Sequence, residues 1–175
     1  MSFSLADIDR LSRGPTHSLM VWSSVIVLRW HQNATVDTFR PLSQKTRDYI
    51  ARNVGKFALL AIADEQVAPP PEDVRKLSSE DLMRYGDRVY ATGLVALSSG
   101  FTAAALRAAI STVLTFTRTT YPSKIFGTEA ECAAWLAPLA SRELRNLGNK
   151  GRPPEAVTPT TMLEFFEATR AGSSV

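Results

Sequence analysis

Residues 87–118, DRVYATGLVALSSGFTAAALRAAISTVLTFTR, constrain the fold more than any other part of the chain. Residues 89–97 are apolar, partly β-branched and uncharged, as a strand buried on both faces would be. Ser98, Ser99 and Gly100 interrupt that run. From Phe101 the period changes: Leu106, Ile110, Val113 and Leu114 recur at spacings of three and four, on one helical face. A buried strand, a small-residue turn and a long apolar helix form one β–α unit of a layered α/β domain. Arg107 and the Ser-Ser-Gly break divide the run into two buried elements, so it is not read as a membrane span.

The rest of the chain repeats this alternation. Residues 4–12 read as a short helix capped by Ser4, with Leu5, Ile8 and Leu11 on one side, ended by Gly14 and Pro15. Residues 18–22 and 25–30, rich in Val, Ile, Leu and Trp, predict a β-hairpin or one long bent strand about Ser23 and Ser24. Thr35 caps a helix carrying Val36, Phe39, Leu42, Tyr49, Ile50 and Val54, with Gly55 where a left-handed residue is wanted. Arg40, Lys45, Arg47 and Arg52 fall on its solvated face with Asp37 and Asp48. Residues 57–63 form an uncharged strand leading to Asp64, Glu65 and Gln66. Pro69, Pro70 and Pro71 then open a helix with Val74, Leu77, Leu82 and Met83, interrupted near Ser78 and Ser79. Residues 123–126 make a short last strand. Thr128 and Glu131 have capping-box spacing ahead of a helix that Pro138 should kink. Thr158 and Pro159 start a final helix with Met162, Phe165 and Phe166 on one face.

The resulting order, β-β-α-β-α-β-α-β-α, predicts an α/β fold. It has a mostly parallel sheet with an antiparallel edge pair, helices packed on the sheet, and short terminal helices. The expected division is an N-terminal segment 1–16, an α/β domain 17–147, a linker 148–157 and a C-terminal amphipathic helix 158–175. Hydrophobic content of 45% and charged content of 21% suit a globular domain. A net charge of +3, spread along the chain, argues against a nucleic-acid binder. Cys132 is alone, so no internal disulfide forms, and no structural zinc set is available; a reducing, cytoplasmic setting is expected.

No catalytic constellation emerges. His17 and His31 have no His or Cys at ligand spacing. Ser98, Ser99 and Gly100 could hold an anion at a helix start but lack the glycines and lysine of a phosphate loop, leaving an N-cap role. Asp64 and Glu65 follow a strand and so lie at the carboxyl edge of the sheet, where open α/β folds place their sites. They would contact a partner or, with a metal, act as oxygen ligands; no cofactor or metal is expected. Met162, Phe165 and Phe166 either cover an apolar patch on their own domain, including across a homodimer, or enter a groove on another protein.

The strand pair, the strand–helix units and the central AIADEQ loop resemble the STAS domain of anti-sigma-factor antagonists and sulfate-transporter tails. Closer still are bacterial STAS-like proteins with a VRW-type second strand, here VLRW at 27–30, and a helix start of the kind seen in Gly100-Phe101 followed by Ala105-Leu106-Arg107. The resemblance covers residues 18–140. It implies a non-enzymatic cytoplasmic signalling or scaffolding module that binds another protein, possibly itself as a homodimer, with no nucleic acid and no membrane span. Antagonists of this family are switched by phosphorylation of a Ser or Thr in the stretch corresponding to 63–68, which here holds no hydroxyl. Either the switch is lost, or Asp64 and Glu65 keep the loop permanently anionic. The expected partner surface is Asp64, Glu65, Gln66, Glu72, Ser98, Ser99 and Phe101, extended by Met162, Phe165 and Phe166. The alternative is a small-molecule or lipid carrier, which requires an apolar pocket between the long helix and the sheet.

Overall fold

The computed structural model describes residues 7–117, 120–147 and 157–170. Its six strands lie in the sheet in the order in which they occur in the chain. β1 (Ile8–Arg13), β2 (His17–Trp22) and β3 (Val25–Trp30) form an antiparallel meander. β4 (Phe57–Ala63), β5 (Val89–Ala96) and β6 (Ser123–Phe126) then add one after another in parallel. Successive right-handed crossovers between adjacent parallel strands place their helices on one face. α1 (Val36–Arg52), α2 (Glu72–Tyr85) and α3 (Gly100–Thr117) accordingly pack on Leu19, Ile26, Trp30, Leu94 and Ala96. The other face is covered by α4 (Glu129–Asn146) and α5 (Pro159–Ala168), which bury Met20, Trp22, Val27, Leu60, Ile62 and Val95. The expected α/β class holds.

Local chemistry explains most boundaries. The β2–β3 connection is the pair Ser23 and Ser24, with Ser23 at φ 59°, the left-handed conformation that matches a tight hairpin to the twist of its strands. Thr35 and Thr38 cap α1 reciprocally, and Gly55 at φ 92° turns the chain behind it. A Cβ at Gly55 would also stand 2.9 Å from Leu147 Cδ1. Thr128 and Thr158 cap α4 and α5, with Pro159 in the first turn of α5.

Three local expectations need correction. Where a helix over 4–12 is expected, the described part forms β1, while residues 4–6 lie outside the described residues. Ile8 and Leu11, three apart, suit a helical face, but the open edge of β2 decides: β1 pairs along it with a bulge between Arg10 and Ser12, and the two side chains fall on opposite faces of the sheet. α2 is not interrupted, because Ser78 and Ser79 donate to the carbonyls of Val74 and Arg75 one turn back. α4 runs on through Pro138, which sits on its exposed side.

Of the expected linker, residues 148–156 lie outside the described residues, whereas Val157 is buried and accepts a hydrogen bond from Ser141. α5 docks on its own domain. Met162, Phe165 and Phe166 are each 0% exposed, and the Phe165 ring lies 5.8 Å from that of Trp22. Burying three such side chains stabilises the contact by about 1.5–3 kcal/mol each.

Candidate functional site

Two places in the fold combine polar groups with unusual burial. The first is the carboxyl edge of the parallel strands, on the α4/α5 side. Arg29 is the one charge within β3, and its side chain is 1% exposed. Its Nε and Nη2 reach Asp64 Oδ1 at 2.8 and 2.7 Å, and its Nη1 reaches Glu129 Oε1 at 2.6 Å and the Phe166 carbonyl at 3.3 Å. Arg170 donates to the other Glu129 oxygen at 2.5 Å and also pairs with Glu167. Two guanidinium groups thus face three carboxylates, Asp64, Glu129 and the more exposed Glu167. A buried guanidinium needs this full set of acceptors, since an unpaired charge there costs several kcal/mol. Its donation to the Phe166 carbonyl fastens α5 to the sheet.

Asp64 also accepts from His31. Nδ1 of His31 lies 2.9 Å from Asp64 Oδ2, and Nε2 lies 3.0 Å from Ser18 Oγ. A serine, a histidine and an aspartate in this sequence have the connectivity of a hydrolytic triad. Ser18 is 0% exposed, however, and its neighbour across the hairpin is Arg29. An acyl group cannot reach that hydroxyl in this structure, and the chain of bonds serves to lock the ends of β2, β3 and β4 together. His17 stands apart, bonded to Ser12 and Thr16, and is held below the usual histidine value by burial, then by His31 and Lys45.

The sequence-predicted surface divides into three. Glu65, Gln66, Glu72, Ser99 and Phe101 are exposed at the carboxyl ends of the neighbouring strands β4 and β5, whose loops are joined by the Leu97 N–H to Ala63 carbonyl bond. Phe101, in the first turn of α3, is 88% exposed. Asp64 lies at the same edge but is committed to Arg29 and His31, and Ser98 is buried with no hydrogen bond to its hydroxyl. Met162, Phe165 and Phe166 are buried in the core on the α4 side.

The second place is a pocket of about 180 Å³ on the opposite face, between the sheet and α1, α2 and α3. Its floor is two rows across the strands, Ile26–Leu59–Thr92 and Leu28–Ala61–Leu94. Its roof takes Phe39, Ser43 and Thr46 from α1, Ser78, Asp81, Leu82 and Tyr85 from α2, and Ile110, Val113 and Leu114 from α3. The spacing of each set is helical, so each is one face of its helix. The space arises because Ser43, Ala61 and Ser78 are small where facing layers would normally interdigitate.

Most polar atoms around the pocket are already occupied. Ser78 and Thr46 donate to Val74 and Leu42 carbonyls, and Thr92 pairs with Ser123. Ser43 donates to Asp81, which also accepts from Arg47 at 2.6 Å. This pairing of the buried Asp81 with a part-exposed Arg47, on the face of α1 expected to be solvated, has no signature in the sequence. The walls are therefore apolar in effect, with the Tyr85 hydroxyl as the exception.

No family model, curated protein or solved structure matches the chain. Among the described residues no group of three or more His, Cys, Asp or Glu could hold a metal ion, and no helix is long and apolar enough to cross a membrane.

Proposed function

We propose that the chain is a non-enzymatic binding module that takes a compact apolar molecule between its sheet and helices α1–α3. The observation that carries this reading is the pocket of about 180 Å³, placed between the long helix and the sheet. It has room for a ligand a little larger than a benzene ring, which an apolar cavity of roughly 150 Å³ accommodates. An apolar wall set with few free polar groups favours such a ligand over water. Native mass spectrometry of the purified protein, with melting curves in saturating toluene or indole, tests it. A bound species or a raised melting temperature is expected, since a ligand at 100 times its Kd stabilises by about 2.7 kcal/mol. No bound species and no shift with either compound would sink the reading.

A second reading is favoured by Phe101, whose ring is 88% exposed at the same carboxyl edge of the sheet as Glu65 and Glu72. In that reading the chain is a STAS-like cytoplasmic regulator that binds another protein, or a second copy, through this edge. Because Asp64 also holds the fold together, the informative substitutions are Glu65→Ala, Glu72→Ala and Phe101→Ala. Loss of one stoichiometric partner with the fold intact supports the edge; unchanged affinity in all three removes it.

A further inference from the structure

The pocket contains one polar group that the protein leaves unused. Tyr85 lines it and is 7% exposed, yet its hydroxyl makes no hydrogen bond among the described residues. The hydroxyl is not sealed off, as the unbonded Ser98 hydroxyl is, so water or a ligand can supply its partner. The other hydroxyls around the pocket are bonded within the protein: Thr46, Ser78 and Ser43 donate to Leu42, Val74 and Asp81, and Thr92 pairs with Ser123. Tyr85 sits one turn beyond Asp81 on α2, so both side chains share the pocket-facing side of the helix.

Resting on the ligand-binding reading above, we propose that Tyr85 is the specificity-determining group of the pocket. It donates its hydroxyl proton to a neutral ligand consisting of about one ring and bearing a single hydrogen-bond acceptor, such as a ketone or ether oxygen. The size follows from the volume, and the acceptor follows from the donor left free.

Neutrality follows from the charges nearby. Burial, and then the Asp81 carboxylate, raise the Tyr85 hydroxyl above the ordinary tyrosine value, so it remains a proton donor throughout the physiological range. Asp81 lines the pocket, while its counter-ion Arg47 is held outside the lining by Asp81, Ser43 and Gln44. An anionic ligand would meet the Asp81 carboxylate, while the nearby cations Arg47 and Arg84 are already paired with Asp81 and Glu80, and burying an unpaired charge is prohibitive. A cationic ligand would have to displace Arg47 from Asp81.

Titration calorimetry with three probes of similar size, acetophenone, ethylbenzene and benzoate, on the full chain and on Tyr85→Phe tests this. Acetophenone is expected to bind roughly three- to tenfold more tightly than ethylbenzene, the contribution of one neutral hydrogen bond. Tyr85→Phe should abolish that preference while leaving ethylbenzene affinity within about twofold, because only the donor is removed. Benzoate should be the weakest of the three. Equal affinity for acetophenone and ethylbenzene, a preference that survives in Tyr85→Phe, or tightest binding of benzoate would each overturn the assignment of Tyr85 while leaving the pocket a ligand site. Failure of all three probes to bind would overturn the ligand-binding reading itself, and this assignment with it.

Discussion

Replacing Ala61 by leucine should stabilise the protein and close its pocket. Ala61 lies mid-strand in β4, flanked in register by Leu28 and Leu94, and with them forms part of the floor. The pocket above that floor has a volume of about 180 Å³. The Ala61→Leu substitution would place three more carbons in that space, a transfer gain of about 2.4 kcal/mol at ~0.8 kcal/mol per carbon. Ordering a leucine side chain offsets about 0.5–1 kcal/mol of this. The net expectation is about 1.5 kcal/mol of added stability, read as a higher urea midpoint at unchanged m-value. For a chain of this length that corresponds to a melting temperature raised by about 3–6 °C. Binding of toluene should be lost in the same variant. If the core were closed in solution, the extra carbons would overpack it, and the variant would be destabilised by about 1–3 kcal/mol; that result would refute the reasoning.

Other perturbations have equally definite outcomes. Arg29→Met leaves Asp64 and Glu129 without their shared guanidinium and should cost about 3–5 kcal/mol in urea unfolding; a loss below about 1 kcal/mol would mean the cluster is solvated. Phe165→Ala removes a fully buried ring from beneath α5 and should cost about 3–5 kcal/mol, whereas a change under about 0.5 kcal/mol would show that α5 is not docked in solution. Cys132 is buried, and burial followed by Glu129 pushes its thiol up to about 12 from an ordinary 9.0; Tyr121 is likewise pushed by burial up to about 12. The unfolded chain releases these protons at lower pH than the folded one, so stability should fall as pH rises from 9 toward 12, and the thiol should react with alkylating reagents only on unfolding. Rapid labelling of the native protein at pH 8 would contradict that placement.

How much of this could be read from the residues alone depends on the range of the interaction. Local signals served well. The uncharged run 57–63, the Thr35 and Thr128 caps and the left-handed position of Gly55 each depend on neighbours in sequence, and each appears where its chemistry requires. β1 reads as helix from its residues because Ile8 and Leu11 are three apart, a helical spacing that its pairing along β2 overrides. The site was harder. Arg29 in an otherwise apolar strand is a visible anomaly, yet its carboxylates are Asp64, just past the end of the next strand, and Glu129, at the start of α4, so only the fold unites them. The pocket has no sequence signature, because Ser43, Ala61 and Ser78 are ordinary residues until three helices and the sheet bring them face to face.

The central claim is that this space admits a ligand in solution. Toluene titrated into methyl-labelled protein, followed by NMR, tests it most directly. The account predicts saturable shifts concentrated at Leu28, Leu59, Leu82 and Ile110, which line the pocket while only partly buried, with the α4-side methyls of Leu136 and Met162 unmoved. Saturation of the solution with toluene without movement of those four residues would contradict it.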